Sequence, residues 1–424
     1  MSNSEEKISS FSDNNSVEGL SIKQNMLWNS AGSLTYLGLQ WLITILVVRL
    51  SSSYEAAGVL SLAMTVFNIF SPLAVYRMYT YQVSDIKREN SLGEYASFRF
   101  VTCTSALALC VVYALITCPQ NSFIAIVFYA LFKIASLLID VLHGEDQLHM
   151  RMDFIGKSLM LQGVGTFFAF CGIFVTTQSI ELAILGMFVA TCIVGMCFDL
   201  PRTLRFSSIK LGISRKKTVH LLTYCFPIVI AAIACAVVPS VPRQFLSAFE
   251  GEAALGIYAS VAAPAAIIQM GASYIYNPLL SIFAEKADSD TRGFKNLFMK
   301  TLAAILGMGV AGIVLYVLFG PWLLRVIFGE SITPYSYLIL PVAIMTAISA
   351  CLWFFNDLLI ALRKFQGVLF GNVAALAIAL PLSLVLIDAY DMNGVSFTVI
   401  AAYLVALAVM AIPLVRIKKE RELA

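Results

Sequence analysis

The segment Phe123–Leu142 combines a long apolar run with two charged side chains, Lys133 and Asp140. About 20 helical residues cross a bilayer, so the segment can span one, with Lys133 near its middle. At the helical period, Tyr129 and Ser136 share a face with both charges. Because a charge in hydrocarbon costs at least ~2.5–3.5 kcal/mol, this face is expected to line a polar cavity. The alternative is a polar contact that joins two helices.

The composition indicates a membrane protein. The 424-residue chain is 59% hydrophobic and only 12% charged, whereas a soluble domain has about 25% charged residues. Its nine cysteines form no CxxC pair and no metal-type spacing with histidine, so we expect no disulfide framework, metal site or cofactor. The first apolar run is too long for a signal peptide and should act as an uncleaved anchor.

Twelve apolar segments predict an all-α polytopic protein with twelve transmembrane helices in two bundles of six. The expected spans are 26–48, 56–76, 98–117, 123–142, 158–176, 180–198, 219–240, 255–279, 298–320, 335–356, 367–387 and 394–415. The expected organisation is a disordered cytoplasmic tail (1–22), an N-terminal bundle (23–200), a basic connector (201–218), a C-terminal bundle (219–415) and a basic cytoplasmic tail (416–424).

The distribution of Lys and Arg predicts the orientation. With the N-terminus inside, 24 of these residues fall on the cytoplasmic side, and only Arg49, Arg243 and Arg325 fall outside. Since positive charge concentrates in cytoplasmic loops, both termini are expected to be cytoplasmic. The connector 201–218 carries six cations and no acidic residue. It is expected to hold an amphipathic helix on the anionic leaflet, with topological charge alone as an equal alternative.

A faint internal repeat suggests that the two bundles are related by a pseudo-two-fold axis. Arg49 precedes the segment Tyr54–Ser61, and Arg243 precedes the similar segment Gly251–Tyr258. Transporters built from repeats commonly bind substrate at the repeat interface. The repeat therefore predicts a central cavity between the bundles.

Polar residues at helical spacing in several spans are candidates for lining that cavity. They include Asn29, Tyr36, Gln40, Asn68, Gln269 and Asn277. Such residues also serve as hydrogen bonds between helices, which is the alternative for any single one. Arg49 and Arg243 at the outer mouth, Lys133 inside and Arg77 at the inner mouth would give a cationic route. A route for organic cations should instead present Asp or Glu. Arg77 is equally explained as an interfacial anchor.

The sequence offers little for catalysis. Gly156-Lys157-Ser158 lacks the first glycine of a phosphate-binding loop, because that position is Arg151. The predicted outer loops are short, so a membrane polymerase or ligase has no room for its acid and base groups. The basic loops are explained by topology, and no nucleic-acid signature is present. We therefore expect no enzyme.

Several segments resemble polysaccharide repeat-unit flippases of the Wzx type, in the superfamily of the MATE exporters and the lipid II flippase MurJ. The segments are Val47–Leu62, Arg77–Asp85, Phe132–Ser158, Val241–Ser260 and Phe355–Gly367. The resemblance implies alternating access around a cationic cavity, with a polyprenyl-diphosphate-linked oligosaccharide as cargo. It implies functional roles for Lys133, Asp140, Arg49, Arg77 and Asp85, with Asp140 and Asp85 in coupling or gating, and it matches Arg243 to the second half. Twelve spans rather than fourteen set the chain apart from the lipid II flippase.

These features together predict a flippase of the bacterial plasma membrane for O-antigen or capsule biosynthesis. Its expected partners are an undecaprenyl-diphosphate-linked oligosaccharide, membrane lipids, and the polymerase and glycosyltransferases of the same pathway, with no nucleic acid. The alternatives are a MATE-like ion-coupled exporter of small molecules, a glycan polymerase or ligase, and an assembly scaffold that transports nothing.

Overall fold

The computed structural model describes residues 19–51, 53–85 and 88–422, and within them the chain is almost entirely helical. The helices are α1 Ile22–Leu50, α2 Glu55–Val75, α3 Met78–Ser84, α4 Leu92–Thr117, α5 Gln120–Leu148, α6 Met152–Thr177, α7 Ile180–Val194, α8 Leu200–Thr203, α9 Arg215–Tyr276, α10 Leu280–Ser289, α11 Thr291–Phe328, α12 Ile339–Ala361, α13 Phe365–Tyr390 and α14 Met392–Glu422. A π-helical turn, Gly195–Asp199, precedes α8, and 3-10 segments occupy Asn277–Leu279 and Glu330–Leu338.

Eleven helical segments of the described chain are long and apolar enough to cross a membrane. One of them, Arg215–Leu279, has 65 residues, far more than the about 20 that one crossing needs. Gly251 interrupts it with φ 85° and ψ 170°, a conformation that glycine adopts without strain. This break divides α9 into two spans, so the predicted all-helical fold with twelve crossings is confirmed. The orientation of the termini stays a prediction.

The helices extend past the predicted spans because polar residues continue and cap them. Ser21 and Gln24 form a capping box at the start of α1, and Ser91 and Glu94 form another at the start of α4. Such boxes satisfy backbone N–H groups that the first helical turn leaves free. A prediction based on apolar runs alone therefore places these helix starts too late, at 26 instead of Ile22 and at 98 instead of Leu92. The predicted tail 1–22 lies largely outside the described residues.

The chain reverses direction at two ends of the molecule. We call the end with the starts of α1 and α4 the terminal face, because it also carries the end of α14, and the other end the opposite face. The helices α1 and α4–α7 pack mainly with one another, and α11–α14 pack with one another and with α9. The α2–α9 contact is extensive and joins the two bundles.

Glycines allow the closest approach between the bundles. A Cβ atom on Gly58 would lie 1.7 Å from the Glu252 carbonyl oxygen, and one on Gly256 would lie 2.2 Å from that of Tyr54. Both distances are far below van der Waals contact, so neither position tolerates a side chain in this arrangement. The backbones of α2 and α9 thus meet directly near the opposite face.

Candidate functional site

A cavity of about 630 Å³ lies between α2 and the second bundle. Its walls come from α2, both halves of α9, α12, α13 and α14, together with Arg77 at the end of α2. The charged and polar lining residues are Asn68, Ser71, Arg77, Ser240, Arg243, Gln269, Thr346, Ser349, Asn356, Asp357, Asn372 and Tyr403. Four of the predicted cavity residues are therefore brought together, namely Asn68, Arg77, Arg243 and Gln269.

Arg77 reaches the cavity because the second span is broken there. Tyr76 and Arg77 have φ of 44° and 56°, so two consecutive residues with side chains adopt the left-handed conformation. This conformation is costly for ordinary residues and persists where surrounding contacts enforce it. One such contact is the Tyr76 hydroxyl, which donates to the Leu222 carbonyl of α9 at 2.9 Å. The break ends α2, starts α3 in a new direction and leaves Arg77 exposed to the cavity.

Arg99 of α4 satisfies the backbone groups that this break leaves free. Its side chain is fully buried, and Nη1 donates to the carbonyls of Ala74 and Val75 at 3.1 and 2.6 Å. Nη2 lies 3.4 Å from Oδ2 of Asp140, which balances the buried charge. The sequence predicts Arg99 to be one of the 24 cations on the cytoplasmic side, and the structure buries its side chain inside the first bundle. Asp140 thus supports the helix break through Arg99.

Asp357 is an acidic residue on the cavity wall, and it is not among the site residues predicted from the sequence. Its Oδ2 accepts a hydrogen bond from the Tyr276 hydroxyl at 2.9 Å. Nearby, Asn372 Nδ2 donates to Asn356 Oδ1 at 2.9 Å. The tenth predicted span ends at 356, whereas α12 continues to Ala361, so Asp357 falls just outside the predicted span. A longer span with Asn356 and Asp357 on its last turns would have identified it.

The first half of α9 contributes prolines and an arginine to the same wall. Pro227 and Pro239 line the cavity, and Arg243, one turn after Pro239, is half-buried. Proline leaves the carbonyl one turn earlier without its helical donor. The wall formed by the first half of α9 therefore lacks the two helical hydrogen bonds that these prolines cannot donate.

Lys133 lies elsewhere, within the first bundle. Its ammonium group is 4.9 Å from the ring centroid of Phe132, 5.6 Å from that of Tyr129 and 6.0 Å from that of Tyr36. Lys133 does not line the 630 Å³ cavity. Gln40, on the same stripe of α1, donates to the Thr166 hydroxyl of α6 at 2.9 Å. For the polar faces of α5 and α1, these contacts favour a role in joining helices over a role in lining a cavity.

The remaining predicted residues occupy three other places. Arg49 lies at the opposite face, where its guanidinium donates to the carbonyls of Val326 and Ile327 at the end of α11. Asn277 is exposed in a 3-10 turn, and Asn29 is half-buried on α1. None of these three lines the 630 Å³ cavity.

Asp85 organises the turn between α3 and α4. It accepts hydrogen bonds from the Tyr95 hydroxyl at 2.7 Å and from the amides of Glu89 and Asn90 at 2.9 and 3.0 Å. Burial raises the pKa of the Asp85 carboxyl, but these three donors outweigh it and hold the pKa below its usual value. Asp85 is thus part of a turn next to the helix break and is not a cavity residue.

Contacts between the two bundles close the opposite face. The Tyr113 hydroxyl donates to Gln244, and the Ser122 hydroxyl donates to Glu252 at 3.0 Å. Tyr54 and Ser331 share a hydrogen bond of 2.9 Å. Together with the Arg49 contacts, these bonds join α1, α2, α4 and α5 to α9, α11 and the segment that follows it.

Toward the terminal face, large apolar side chains of α1 and of the second half of α9 have little cover. Met26 and Leu27 are 64% and 62% exposed, and Ile267 and Tyr274 are 64% and 67% exposed. The end of α1 is buried instead, with Ile43 only 2% exposed. The bundles are therefore packed at the opposite face and leave apolar helix surface uncovered toward the terminal face.

Comparison with solved structures identifies the fold. The lipid II flippase MurJ in an inward closed conformation superposes with a TM-score of 0.72 at 10% identity, covering 92% of this chain and 87% of MurJ. An inward-facing MATE family multidrug transporter gives 0.65 at 11% identity over 93% and 99% of the chains. The MATE multidrug transporter DinF-BH gives 0.62 at 13% identity over 93% and 95%.

The chain thus has the fold seen in MurJ and the MATE transporters, and it is a multi-pass membrane protein. No family model and no curated protein sequence matches it. At such low identity the likeness concerns the fold, and the cargo has to be argued from the residues of the cavity.

Proposed function

We propose that this protein is a flippase that moves a polyprenyl-diphosphate-linked oligosaccharide repeat unit across the bacterial plasma membrane for surface polysaccharide biosynthesis. The observation that carries the proposal is that Arg77 and Arg243 both line one cavity, in which Asp357 is the one carboxylate among the described lining residues. Two cations against one anion favour an anionic head group. Arginine is also suited to phosphate, because its planar group donates two parallel hydrogen bonds.

The two arginines come from different bundles, which suits alternating access. Arg77 belongs to the first bundle and Arg243 to the first span of the second bundle. A diphosphate-sugar head group in this cavity would contact both halves, so a rocking motion of the halves would move its binding groups relative to the two faces. The amides and hydroxyls of the wall, such as Asn68, Gln269 and Thr346, would bind the sugars.

The lipid tail would stay in the bilayer beside the cavity. Near the terminal face, α1 and the second half of α9 expose Leu27, Leu34 and Ile267, side chains compatible with acyl chains. A polyprenyl chain could remain against these helices while its head group occupies the cavity. We take the terminal face as cytoplasmic, following the distribution of positive charge.

Asp357 favours a second candidate, a MATE-like exporter of cationic small molecules. A carboxylate in the cavity is the feature that such cargo requires. The Tyr276 hydroxyl bonded to Asp357 leaves one carboxylate oxygen without a described hydrogen bond. A cation could bind there, so this candidate has to be separated by experiment.

The decisive experiment uses Arg77→Ala, Arg77→Lys and Arg243→Ala in cells whose surface glycan depends on this gene. We expect both alanine variants to reduce surface glycan at least tenfold and to accumulate the lipid-linked repeat on the inner leaflet. Arg77→Lys should restore part of the activity, because it keeps the charge. Arg325→Ala, which removes an exposed arginine at the opposite face, is the matched control.

Two results would contradict the proposal. One is normal glycan with both alanine variants present at wild-type levels in the membrane. The other is a strain that lacks the gene, makes normal glycan and becomes sensitive to cationic dyes, which would favour the exporter.

A further inference from the structure

The first bundle contains a second cluster of charged side chains, near the terminal face and apart from the cavity. Asp199, in the π-helical turn, lies 3.2 Å from His143 Nε2 through Oδ1 and accepts from the Ser158 hydroxyl at 2.9 Å through Oδ2. Asp146 Oδ1 accepts from the Thr203 hydroxyl at 3.3 Å. We call these five residues the Asp146 cluster. It joins α5, α6, the π-helical turn and α8.

The second oxygen of Asp146 has no partner. Asp146 is 0% exposed, and its Oδ2 accepts no hydrogen bond in the part of the chain that the structure describes. Asp199 and His143 are 1% and 4% exposed. A buried carboxylate that stays ionised normally has partners on both oxygens or a nearby cation. The imidazole of His143 could balance one of the two carboxylates but not both.

The other charged groups around the cluster are engaged elsewhere. Asp140 pairs with Arg99. Glu145 lies 3.9 Å from Arg88 and 3.6 Å from His149.

The neighbours on the other elements are likewise engaged. On α6, Asp153 pairs with Arg151 and Lys157. On α8, Arg202 stacks on the Phe198 ring and donates to the Phe198 carbonyl. On α3, the Tyr79 hydroxyl donates to Gln147. In the described chain, no Arg or Lys therefore forms an ion pair with Asp146.

We propose that Asp146 is a proton-binding site of this protein. One proton from water at the terminal face adds to Oδ2 and converts the carboxylate into a neutral carboxylic acid, and no other bond changes. In the protonated state the cluster holds one His143–Asp199 pair and a neutral Asp146. In the deprotonated state two carboxylates share one imidazole, and their repulsion acts on the elements that carry them.

Loss of the proton from Asp146 would act on α8 and on the segment after it, which leads to the second bundle. Thr203, which donates to Asp146, ends α8, and the Ser207 hydroxyl just after it donates to Glu145 at 2.5 Å. The chain then packs on the first bundle at Gly93 and Ser97 before it enters α9. The π-helical turn is a further sign, since such turns often mark functional sites. Loss of the proton would therefore loosen the start of the segment that connects the two bundles.

This coupling deepens the proposed transport function and depends on it, whereas proton binding by Asp146 does not. The two parts can be tested separately. The proton is tested by infrared spectroscopy of the purified full-length protein in lipid nanodiscs during a pH titration. We expect the band of a protonated carboxyl group to persist at neutral pH, where exposed carboxyl groups are ionised.

Asp146→Asn should remove that band, while Asp146→Glu should keep a shifted one. The control is Asp153→Asn, which removes a buried carboxylate that already has two cationic partners and should leave the band unchanged. An unchanged band in a folded Asp146→Asn protein would overturn the proposal. If that variant fails to fold, a wild-type protein without any protonated carboxyl band at neutral pH overturns it equally.

The coupling is tested by the distance between spin labels at Gln178 and Asp388, on exposed ends of α6 and α13 at the opposite face. Labels carried by genetically encoded amino acids leave the native cysteines in place. We expect the distance to change over the pH range in which the infrared band disappears, and to be independent of pH in Asp146→Asn. A pH-independent distance in the wild type would overturn the coupling alone. Failure of the lipid-linked cargo assay would overturn the proposed function and leave both spectroscopic results standing.

Discussion

Arg99 stabilises the left-handed break at Arg77. It is a buried cation that serves two backbone carbonyls and one carboxylate at the same time. Breaking a buried ion pair by removing one partner costs about 3–5 kcal/mol, mainly because the other partner is left uncompensated. Asp140 keeps a third of its side chain exposed, so water would stabilise it in part. The loss at Arg99 therefore falls mainly on the carbonyls of Ala74 and Val75.

This difference gives the first prediction. Arg99→Leu should lower the free energy of unfolding by about 3 kcal/mol, and Asp140→Asn should lower it by less. The double variant should remain close to Arg99→Leu, because the carbonyls stay unsatisfied in both. Thermal unfolding of the purified variants in one detergent measures this order. Equal losses for the two single variants would show that the ion pair, and not the cap of the broken helix, carries the stability.

Lys133 gives a second prediction at the scale of one residue. Its ammonium group contacts three aromatic rings, and cation–π contacts contribute about 0.5–2 kcal/mol each. Lys133→Met keeps the side-chain length and the contacts with the rings but removes the charge. We expect this variant to lose thermal stability and to keep most of the surface glycan. A glycan loss as large as that of Arg77→Ala, in a protein of wild-type stability, would show that Lys133 takes part in transport.

The sequence predicted some site residues and missed others for physical reasons. Arg77 and Arg243 were found because a charge at the end of an apolar segment is visible in the sequence. Asp357 was missed because polar residues on the last turn of a helix lower the hydropathy that marks a span. The break at Arg77 also left no clear signal, since neither Tyr76 nor Arg77 favours positive φ. The break is stabilised by Arg99, which lies on a different helix, α4, and not next to the break in the sequence.

At the scale of the helices, the α2–α9 contact closes the opposite face. Its two backbones touch at Gly58 and Gly256, and polar contacts such as the bond between Tyr54 and Ser331 surround it. Helices in membranes often associate through small residues that let the backbones approach closely. The sequence repeat contains Gly58 in one segment and Gly256 in the other, but it could not predict that the two segments would face each other.

The α2–α9 contact at Gly58 gives a third prediction. Gly58→Ala should push α2 and α9 apart, because its Cβ would lie 1.7 Å from a backbone oxygen. Overpacking of this kind costs about 1–3 kcal/mol, and here the cost falls on the state with the closed opposite face. We expect the distance between labels at Gln178 and Asp388 to increase, with thermal stability reduced only slightly. Gly172→Ala on α6 is the control, since a Cβ there meets nothing within 4 Å. An unchanged distance in Gly58→Ala would mean that the contact does not determine which face is closed.

At the scale of the whole molecule, the sequence predicted the architecture better than the location of the charge. Twelve spans follow from apolar length, because each crossing has to bury a fixed thickness of membrane. The position of each polar face depends on how the helices rotate against their neighbours, and hydropathy does not contain that information. Hence Lys133 and Gln40 were predicted to line a cavity, yet they contact residues within their own bundle.

The balance of charge in the cavity gives the last prediction, which separates the two candidate cargoes. Removing the negative charge with Asp357→Asn makes the cavity more positive while Tyr276 can still hydrogen-bond to the amide. For a flippase of diphosphate-linked sugars, this variant should bind the anionic head group at least as well as the wild type, and Arg243→Ala should weaken binding at least tenfold. For an exporter of cations, the order is reversed and Asp357→Asn abolishes binding. Equilibrium binding of a soluble diphosphate-linked sugar and of a cationic dye to the same nanodisc samples, at two salt concentrations, measures both. Because the charge of the cavity governs both affinities, the direction in which each variant changes binding of the sugar and of the dye identifies the cargo class without a translocation assay.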